Sequence, residues 1–411
     1  MHHTGCCRFC GTPLHHTFVD LGMSPLCESY LKTEELNQME AFYPLHVYVC
    51  TNCFLVQLQK YVNPDHIFTE YAYFSSYSKT WLEHAENYTN LITERLGLES
   101  SSQVVEIASN DGYLLQYFVE RGIPVLGVEP AANVAKVAVE KGIPTVVEFF
   151  GEHKAGELVR DGYPADLIIG NNVLAQVPDI RDFVRGLKIL LKPRGVITLE
   201  FPHLMNLVRE NQFDTIYHEH FSYFSLISLE KNFKAHGLTI FDVDELTTHG
   251  GSLRIYACHN EDFSKKVSGN VNELRKREEA EGVANLEYYA DFSERVIETK
   301  RKILDFLIDE KRKGKRIAGY GAPGKGNTLL NYCGIRSDFL DYTVDLNPYK
   351  QGKYLPGTHI PIYSPDKIEE TKPDYLFVLP WNFKNEIMNQ MVGIRNWGGK
   401  FVVPIPEPTV L

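Results

Sequence analysis

Long apolar segments and an excess of positive charge are both lacking in this sequence. None of its 411 residues belongs to a run that approaches the ~20 consecutive apolar residues of a membrane-spanning helix. The polar stretch 1–10 also lacks the apolar centre of a secretion signal. The formal net charge is −11, which argues against a broad nucleic-acid-binding surface. We therefore expect a soluble cytoplasmic protein that binds neither membranes nor nucleic acids.

Internal repeats at the spacing of solenoid proteins are absent as well, which favours separate globular domains. With 411 residues, 44% of them hydrophobic, the chain has material for two or three cores at ~100–200 residues per domain. We expect three parts, at residues 1–68, 69–262 and 263–411. A monomer is expected, because a substrate cleft can be built within one chain.

The eight cysteines are few and unevenly placed. Two C-x2-C pairs, Cys7/Cys10 and Cys50/Cys53, bring four thiolates into the tetrahedral arrangement that structural zinc prefers. A disulfide is the poorer interpretation in a reducing cytosol. Four thiolates leave no open coordination position, so we predict a structural Zn²⁺. Cys6 could replace Cys7, although its spacing to Cys10 is less suitable. The remaining cysteines are expected to be ordinary small apolar residues: Cys27, Cys258 and Cys333.

A strand, turn and helix pattern begins at residue 104 and contains little glycine. The apolar strand 104–107 is followed by a polar turn, and a helix is predicted from Tyr113 to Val119. Dinucleotide-binding turns need G-x-G-x-x-G, whereas this turn keeps only Gly112. Asp111 would repel a pyrophosphate. S-adenosylmethionine (SAM), a nucleoside with a cationic amino acid and sulfonium group, meets no such conflict.

Polar residues at the ends of the neighbouring predicted strands support a nucleoside site. Glu129 ends a second apolar strand, and a carboxylate there can accept hydrogen bonds from both ribose hydroxyls. A third buried strand runs into Asn171. The alternative is that these are only strand-end polar groups. The predicted cofactor-binding residues are Glu106, Ala108, Asn110, Gly112, Glu129, Asn171 and Asn172.

A second pattern of this kind does meet the G-x-G-x-x-G spacing, with Gly319, Gly321 and Gly324. Lys325 adds a cation to the turn, and a strand leads to Asp345. The match alone is weak evidence for NAD, because it reports only phosphate binding. It predicts a site for a nucleotide diphosphate, a class that includes sugar nucleotides. The alternative is a glycine turn that only reverses the chain.

Between the two patterns lies the segment Tyr217-His218-Glu219-His220. Two imidazoles beside a carboxylate indicate proton transfer near neutral pH, while the H-E-x-x-H zinc motif is absent. Two imidazoles hydrogen-bonded near a strand end remain the alternative. The tyrosine- and serine-rich stretch 71–78 and the glycine turn 247–257 could line the same cleft; an aromatic connector is the other interpretation of 71–78.

In combination these motifs resemble those of the three-domain SAM-dependent sugar C-methyltransferases that act at C-3 of TDP-linked 4-keto deoxysugars. The resemblance covers essentially the whole chain. It implies an α/β protein with an N-terminal zinc-binding module, a central Rossmann-like SAM methyltransferase domain and a C-terminal Rossmann-like domain, with the sugar nucleotide bound between the last two. The matching features are the C-x2-C pairs and the stretches 71–78, 106–112, 217–220, 249–254 and 319–327.

The resemblance also implies that Tyr71, Tyr217, Glu219 and His220 surround the reacting carbon. A 4-keto group acidifies the C-3 proton. We expect His220 to remove this proton while Glu219 orients His220, with Tyr217 or Tyr71 donating a hydrogen bond to the developing oxyanion. Whether His220 or a tyrosine is the base stays open. The predicted substrate-binding residues are Tyr77, His249, Arg254, Gly321, Lys325 and Asn327.

Other classes of function remain open on the sequence alone. An O- or N-methyltransferase would need no keto group beside the acceptor atom. An NAD-dependent sugar-nucleotide oxidoreductase would use the turn at Gly319 for its cofactor. A catalytically silent zinc-containing scaffold would bind neither ligand.

Overall fold

The computed structural model describes residues 5–63 and 74–411, so Tyr71 lies outside the described residues. Strands and helices of these residues form three β-sheets with flanking helices. The strands are β1 (His16–Ser24), β2 (Tyr43–Val49), β3 (Val56–Leu58), β4 (Val104–Ile107), β5 (Val125–Val128), β6 (Thr145–Val146), β7 (Ala165–Asn171), β8 (Leu191–Pro202), β9 (Ser222–Tyr223), β10 (Leu238–Leu246), β11 (Ser252–His259), β12 (Ile317–Tyr320), β13 (Thr343–Val344), β14 (Ile362–Tyr363), β15 (Tyr375–Val378), β16 (Lys400–Val403) and β17 (Thr409–Val410).

The helices flank the sheets. The second glycine-rich turn leads into a helix that starts at Gly324. The stretch 262–312 holds three helices, because Gly282 adopts φ +86° and ends one of them. The helices are α1 (Lys79–Leu96), α2 (Leu115–Val119), α3 (Ala132–Glu140), α4 (Glu152–Arg160), α5 (Ile180–Leu190), α6 (Leu204–Arg209), α7 (Leu226–Ala235), α8 (Gly269–Glu281), α9 (Glu287–Ala290), α10 (Phe292–Arg312), α11 (Gly324–Cys333), α12 (Asp366–Thr371) and α13 (Lys384–Gln390).

The central sheet has the order β10-β11-β8-β7-β4-β5-β6. Its strands from β8 to β6 are parallel, whereas β11 runs antiparallel to β8. The chain moves outward from β4 to β5 and β6 and then returns to β7 on the other side of β4. Ligands of open α/β sheets bind at such a switch point, outside the carboxyl ends of the strands.

The C-terminal sheet repeats this plan in the order β14-β13-β12-β15-β16-β17. Its strands are parallel except for β17. The connection changes direction between β12 and β15, so a second switch point lies where the glycine-rich turn leaves β12. The predicted fold class, with two Rossmann-like domains, is confirmed.

The N-terminal sheet, β1-β2-β3-β9, takes its last strand from the middle of the chain. Strand β9 pairs with β3 through Ser222 and Tyr223, immediately after the predicted acid/base segment. Phe18 of β1 stacks on Phe292 of α10, with ring centroids 4.4 Å apart. The zinc-binding module is therefore packed into the other two parts, and the predicted domain boundaries stay a prediction. Within the described ranges, no helix is both long and apolar enough to cross a membrane.

Candidate active site

The four predicted zinc ligands form one cluster. The Sγ atoms of Cys7, Cys10, Cys50 and Cys53 all lie within 4.8 Å of one another. The Cys7–Cys53 and Cys10–Cys50 sulfur pairs are 3.5 and 3.4 Å apart. Tetrahedral zinc with Zn–S distances near 2.3 Å would hold its sulfur ligands roughly 3.8 Å apart, so the four thiols fit this ion. Cys6 is exposed and stands outside the cluster.

The first zinc-binding turn is tied to the central domain by Arg8. Its Nη1 donates to the carbonyl of Pro178 at 3.1 Å, and Nη2 donates to the carbonyl of Leu58. The guanidinium also lies over the ring of Phe221, 5.4 Å from its centroid. Because Pro178 forms part of a cavity wall in the central domain, the metal site supports that wall.

This cavity lies at the first switch point and encloses about 330 Å³. Its walls come from the turns that follow β4, β5, β6 and β7, where the doubly wound plan places ligands. Residues of the N-terminal module contribute through Lys60 and Asn63. The predicted cofactor-binding residues that line the cavity are Ala108, Asn110, Glu129, Asn171 and Asn172.

The other two predicted cofactor residues lie behind the cavity wall. A Cβ on Gly112, whose φ is +76°, would lie 2.3 Å from Cδ1 of Ile143, so packing and backbone conformation both require glycine there. Glu106 is fully buried at the end of β4, and this burial raises its pKa well above the ordinary value. Neither residue lines the cavity, and their direct contact with the cofactor stays a prediction.

Glu129 offers hydrogen-bond acceptors in the cavity. Its two carboxylate oxygens accept from the backbone N–H groups of Asn110 at 2.9 Å and Ala131 at 2.8 Å. Burial raises the pKa of Glu129 to about 6, against the effect of these donors. Each oxygen keeps a second lone pair. Asn172 Oδ1 is buried without a partner among the described residues. Acceptors of this kind suit a ligand with ribose hydroxyl and ammonium donors, as SAM has.

Asn110 and Asp111 have a second role that the sequence did not reveal. Asn110 Oδ1 accepts from the backbone N–H of Ser75 at 2.9 Å, and Asp111 Oδ2 accepts from that of Ser76 at 3.2 Å. Lys141 donates to the Ser76 hydroxyl at 2.9 Å. The polar turn after β4 thus holds the serine-rich segment against the cavity, a contact that glycines at these positions could not make.

His220 is held in one tautomer. Its Nδ1 donates to the carbonyl of Thr215 at 2.9 Å, which leaves Nε2 as the lone-pair nitrogen. Burial lowers the pKa of His220 to about 4, so the ring is neutral at pH 7. Tyr217 packs against it, with ring centroids 4.1 Å apart. The Thr215 carbonyl therefore orients the His220 ring, and the orienting role predicted for Glu219 stays a prediction. His218 is separate from this group and bonds to the carbonyl of Pro44 at 3.2 Å.

Glu219 is linked to the N-terminal module through Cys27. The thiol of Cys27 is buried and donates to Glu219 Oε1 at 3.4 Å. Burial and the neighbouring carboxylates raise the pKa of this thiol well above its usual value, so it stays protonated. Cys27 is buried as an apolar residue would be, and its thiol contact with Glu219 is an addition that the sequence did not reveal.

His249 packs against the cavity wall. Its Nε2 lies 3.1 Å from Asn172 Nδ2 and accepts from this amide. Trp81, which lines the cavity, meets the imidazole edge to face with centroids 5.2 Å apart. Burial and the nearby cation of Lys325 lower the pKa of His249 to about 4. A substrate contact of His249 stays a prediction.

Arg254 lies in a network of contacts within the protein. It is buried and donates to Glu200 Oε2 at 2.9 Å, and its guanidinium lies over Tyr88, 4.4 Å from the ring centroid. Glu200 also bonds to His84 at 2.9 Å. A partner carboxylate thus already neutralises Arg254, and its substrate contact stays a prediction.

The second switch point places a lysine and a tryptophan beside this group. Lys325 donates to Asn382 Oδ1 at 2.8 Å and lies over Trp381, with Nζ 4.6 Å from the ring centroid. The Trp381 indole N–H donates to the buried Asp214 at 2.6 Å. A Cβ on Gly250, the residue after His249, would lie 2.6 Å from Trp381. The two switch points therefore meet at His249.

The glycine-rich turn after β12 is filled by the protein's own chain. The Tyr30 hydroxyl donates to the carbonyl of Ala322 at 2.6 Å, and Asp345 Oδ2 accepts from the N–H of Ala322 at 2.7 Å. A Cβ on Gly324 would lie 3.5 Å from a carboxylate oxygen of Glu28, so an acid already stands at the N-terminus of α11. Lys350 lies 3.4 Å from this carboxylate. The expectation that this turn holds a diphosphate is not supported.

Gly321 and Asn327, two predicted substrate residues, take part in this packing. Gly321 has φ +87° and lies against Pro380. Asn327 is buried and donates to the carbonyl of Cys27 at 2.5 Å. The predicted substrate residue Tyr77 is 56% exposed and contacts Phe74 edge to face with centroids 6.0 Å apart, so its role stays a prediction.

We expect NAD not to bind to this turn, because Glu28 lies where the pyrophosphate would sit and like charges repel. Calorimetric titration with NAD should show no heat of binding, while titration of the same sample with S-adenosylhomocysteine should show one site. The Glu28→Gln variant removes the carboxylate charge and so tests whether that charge is what prevents NAD binding. Saturable NAD binding to the unaltered protein would contradict the assignment.

Comparison with known proteins identifies the family. Three protein-family models match the sequence. The family described as "Putative zinc binding domain" matches residues 7–68, the family described as "Methyltransferase domain" matches residues 81–243, and the family described as "C-methyltransferase C-terminal domain" matches residues 247–406. C-methyltransferase NovU of Streptomyces niveus is 38% identical over 405 residues, which are 98% of this chain and 96% of NovU. The chain belongs to the C-methyltransferase family.

The predicted class, a SAM-dependent C-methyltransferase with a zinc-binding module, is thereby confirmed. Two solved structures that match the enzyme each cover less than half of its length. Magnesium protoporphyrin IX methyltransferase of Synechocystis PCC 6803 matches with a TM-score of 0.36 and 14% identity, over 43% of this chain and 83% of its own. A methyltransferase of Listeria monocytogenes matches with a TM-score of 0.35 and 13% identity, over 44% of this chain and 99% of its own.

Several residues of the enzyme's site were missed by sequence reasoning. Phe149 and Phe150 line the cavity after β6, and their position after a third parallel strand was a signal that could have found them. Trp381 and Asn382 follow β15 at the second switch point, where the same rule applies. Asp214 carried no local signal, since its contact with Trp381 spans 167 residues.

Proposed function

We propose that this enzyme methylates C-3 of a TDP-linked 4-keto deoxysugar in deoxysugar biosynthesis. SAM supplies an electrophilic methyl group when it is bound in the first switch-point cavity. The observation that carries the proposal is His220, a neutral imidazole whose Nδ1 hydrogen is fixed on Thr215 and whose Nε2 is left to accept a proton. A carbon acid next to a ketone needs such a base before it can be alkylated, because carbon without it is a poor nucleophile.

His220 suits the role of base better than Tyr217. Burial and the charge of Glu219 raise the pKa of Tyr217 well above its usual value, so this phenol stays protonated and serves as a hydrogen-bond donor. The proton moves from C-3 to Nε2 of His220, and the electron pair is held on the keto oxygen until C-3 takes the methyl group. Donors around this oxygen lower the barrier by stabilising the charge that develops.

The proposal is tested by deuterium exchange. The enzyme is incubated in D₂O with TDP-4-keto-6-deoxyglucose and S-adenosylhomocysteine, and the sugar is analysed by NMR. We expect deuterium at C-3 and, when SAM replaces S-adenosylhomocysteine, a new carbon–carbon bond at the same atom. The ketone acidifies the protons on both neighbouring carbons, so exchange at C-5 alone would indicate that C-5, and not C-3, is the carbon that reacts. A methylated product without exchange at either carbon would indicate an O-methyltransferase.

A further inference from the structure

Lys325 has an unusual setting for a lysine of a glycine-rich turn. Its ammonium donates to the neutral amide of Asn382 and lies over the face of Trp381. Asp214, whose charge acts on Lys325, bonds instead to the indole N–H of Trp381. Burial lowers the pKa of Lys325 to about 8, so the side chain keeps its positive charge at pH 7. The groups in direct contact with this partly buried cation, Asn382 and Trp381, are therefore neutral.

Lys325 also faces the segment that carries the proposed base. Thr328 is three residues further along α11, on the same helix face, and its hydroxyl donates to the carbonyl of Ile216 at 2.9 Å. Thr215, which precedes Ile216 in the chain, accepts the hydrogen bond from His220 Nδ1 with its backbone carbonyl. The charge of Lys325 lowers the pKa of both His220 and His249, which places the ammonium within electrostatic reach of both imidazoles.

The role in phosphate binding that the sequence suggested for Lys325 is not supported by its surroundings. The N–H and the carbonyl of Ala322 in the glycine-rich turn are both bonded within the protein, and a carboxylate oxygen of Glu28 lies close to Gly324 at the helix N-terminus. The Lys325 ammonium contacts Trp381 and Asn382 instead. A partly buried cation within electrostatic reach of the base is placed to stabilise negative charge that forms on the substrate.

We propose that Lys325 is a catalytic residue that stabilises the enolate oxygen of the 4-keto substrate. This inference rests on the proposed function. In the step, the C-3–H bond breaks, its proton goes to Nε2 of His220, and its electron pair is delocalised onto O-4, where the Lys325 ammonium donates a hydrogen bond. The pair returns from O-4 as C-3 forms its bond to the methyl carbon and the methyl–sulfur bond breaks.

The test compares the Lys325→Met and Lys325→Arg variants with the unaltered enzyme. We expect Lys325→Met to lower the rate of C-3 deuterium exchange about 10²–10³-fold at saturating TDP-4-keto-6-deoxyglucose, the range seen when one oxyanion donor is removed. The calorimetric Kd for this sugar nucleotide should change less than about threefold. The Arg variant should recover part of the rate, because it restores the charge. The acid limb of the pH profile should also move to higher pH in Lys325→Met.

Lys300→Met is the matched control, since Lys300 lies over Tyr332 with its Nζ also 4.6 Å from the ring centroid, and it donates to a backbone carbonyl. Its exchange rate should equal that of the unaltered enzyme. A Lys325→Met variant that exchanges normally but binds the sugar nucleotide tenfold more weakly would make Lys325 a phosphate ligand and overturn the proposal. No exchange by the unaltered enzyme would overturn the proposed function and this inference together.

Discussion

The His220→Asn variant is expected to lose about 10²–10⁴-fold in the rate of methyl transfer, the contribution typical of a general base. The asparagine amide can still donate to the carbonyl of Thr215, which His220 Nδ1 contacts at 2.9 Å, so the local backbone is preserved. What is lost is the second nitrogen, which accepts the proton. Turnover with TDP-4-keto-6-deoxyglucose and SAM measures the effect, and calorimetry with S-adenosylhomocysteine checks that cofactor binding survives.

His218→Asn is the control for this experiment. His218 is also buried and also bonds to a backbone carbonyl, that of Pro44 at 3.2 Å, but its ring lies on the side of β2. We expect its turnover to stay within about twofold of the unaltered enzyme. Equal losses in both variants would show that the segment is needed only for folding, and an unchanged rate in His220→Asn would remove His220 from the role of base.

The pH dependence of the reaction provides a separate prediction. Burial lowers the pKa of His220 to about 4, and only the neutral imidazole can accept a proton. The value of kcat/KM should therefore be independent of this group above pH 6 and should fall as the pH drops toward 4. A limb centred near the ordinary histidine value of about 6.5 would show that the catalytic imidazole is exposed to water.

Local sequence patterns were sufficient to predict some parts of this site. The two C-x2-C pairs define the zinc cluster because each turn supplies two ligands by its own geometry. The strand-end residues Asn110, Glu129 and Asn171 lie at one cavity because the carboxyl ends of parallel strands meet at the same edge.

Contacts between distant segments could not be predicted in this way. The G-x-G-x-x-G spacing at Gly319 reports a backbone shape, and that shape binds a phosphate only when the space outside it is free. Here Glu28 and Tyr30, about 300 residues earlier in the chain, fill it. The same limit applies to Cys27, which has no local partner that distinguishes it from an apolar residue, yet bonds to Glu219 across 192 residues.

Loss of zinc is expected to have an effect at least as large as loss of the base. In isolated zinc-finger peptides a structural zinc contributes about 10–16 kcal/mol, which is comparable to the ~5–15 kcal/mol by which whole domains are stable. Cys50 directly follows β2 and is fully buried, and serine there would supply a much poorer ligand. We expect the Cys50→Ser variant to lose its bound zinc, to unfold at a markedly lower temperature and to have no measurable turnover.

The loss should extend beyond the metal because of how the sheets connect. Strand β2 pairs with β3, and β3 pairs with β9, which begins two residues after His220. Arg8, between two zinc ligands, holds Pro178 at the wall of the cavity at the first switch point. Cys6→Ser, an exposed neighbour outside the cluster, should retain one zinc per chain and full activity. Elemental analysis, thermal unfolding and turnover of both variants decide the matter: a Cys50→Ser protein that lacks zinc but keeps its activity would show that the module does not position His220.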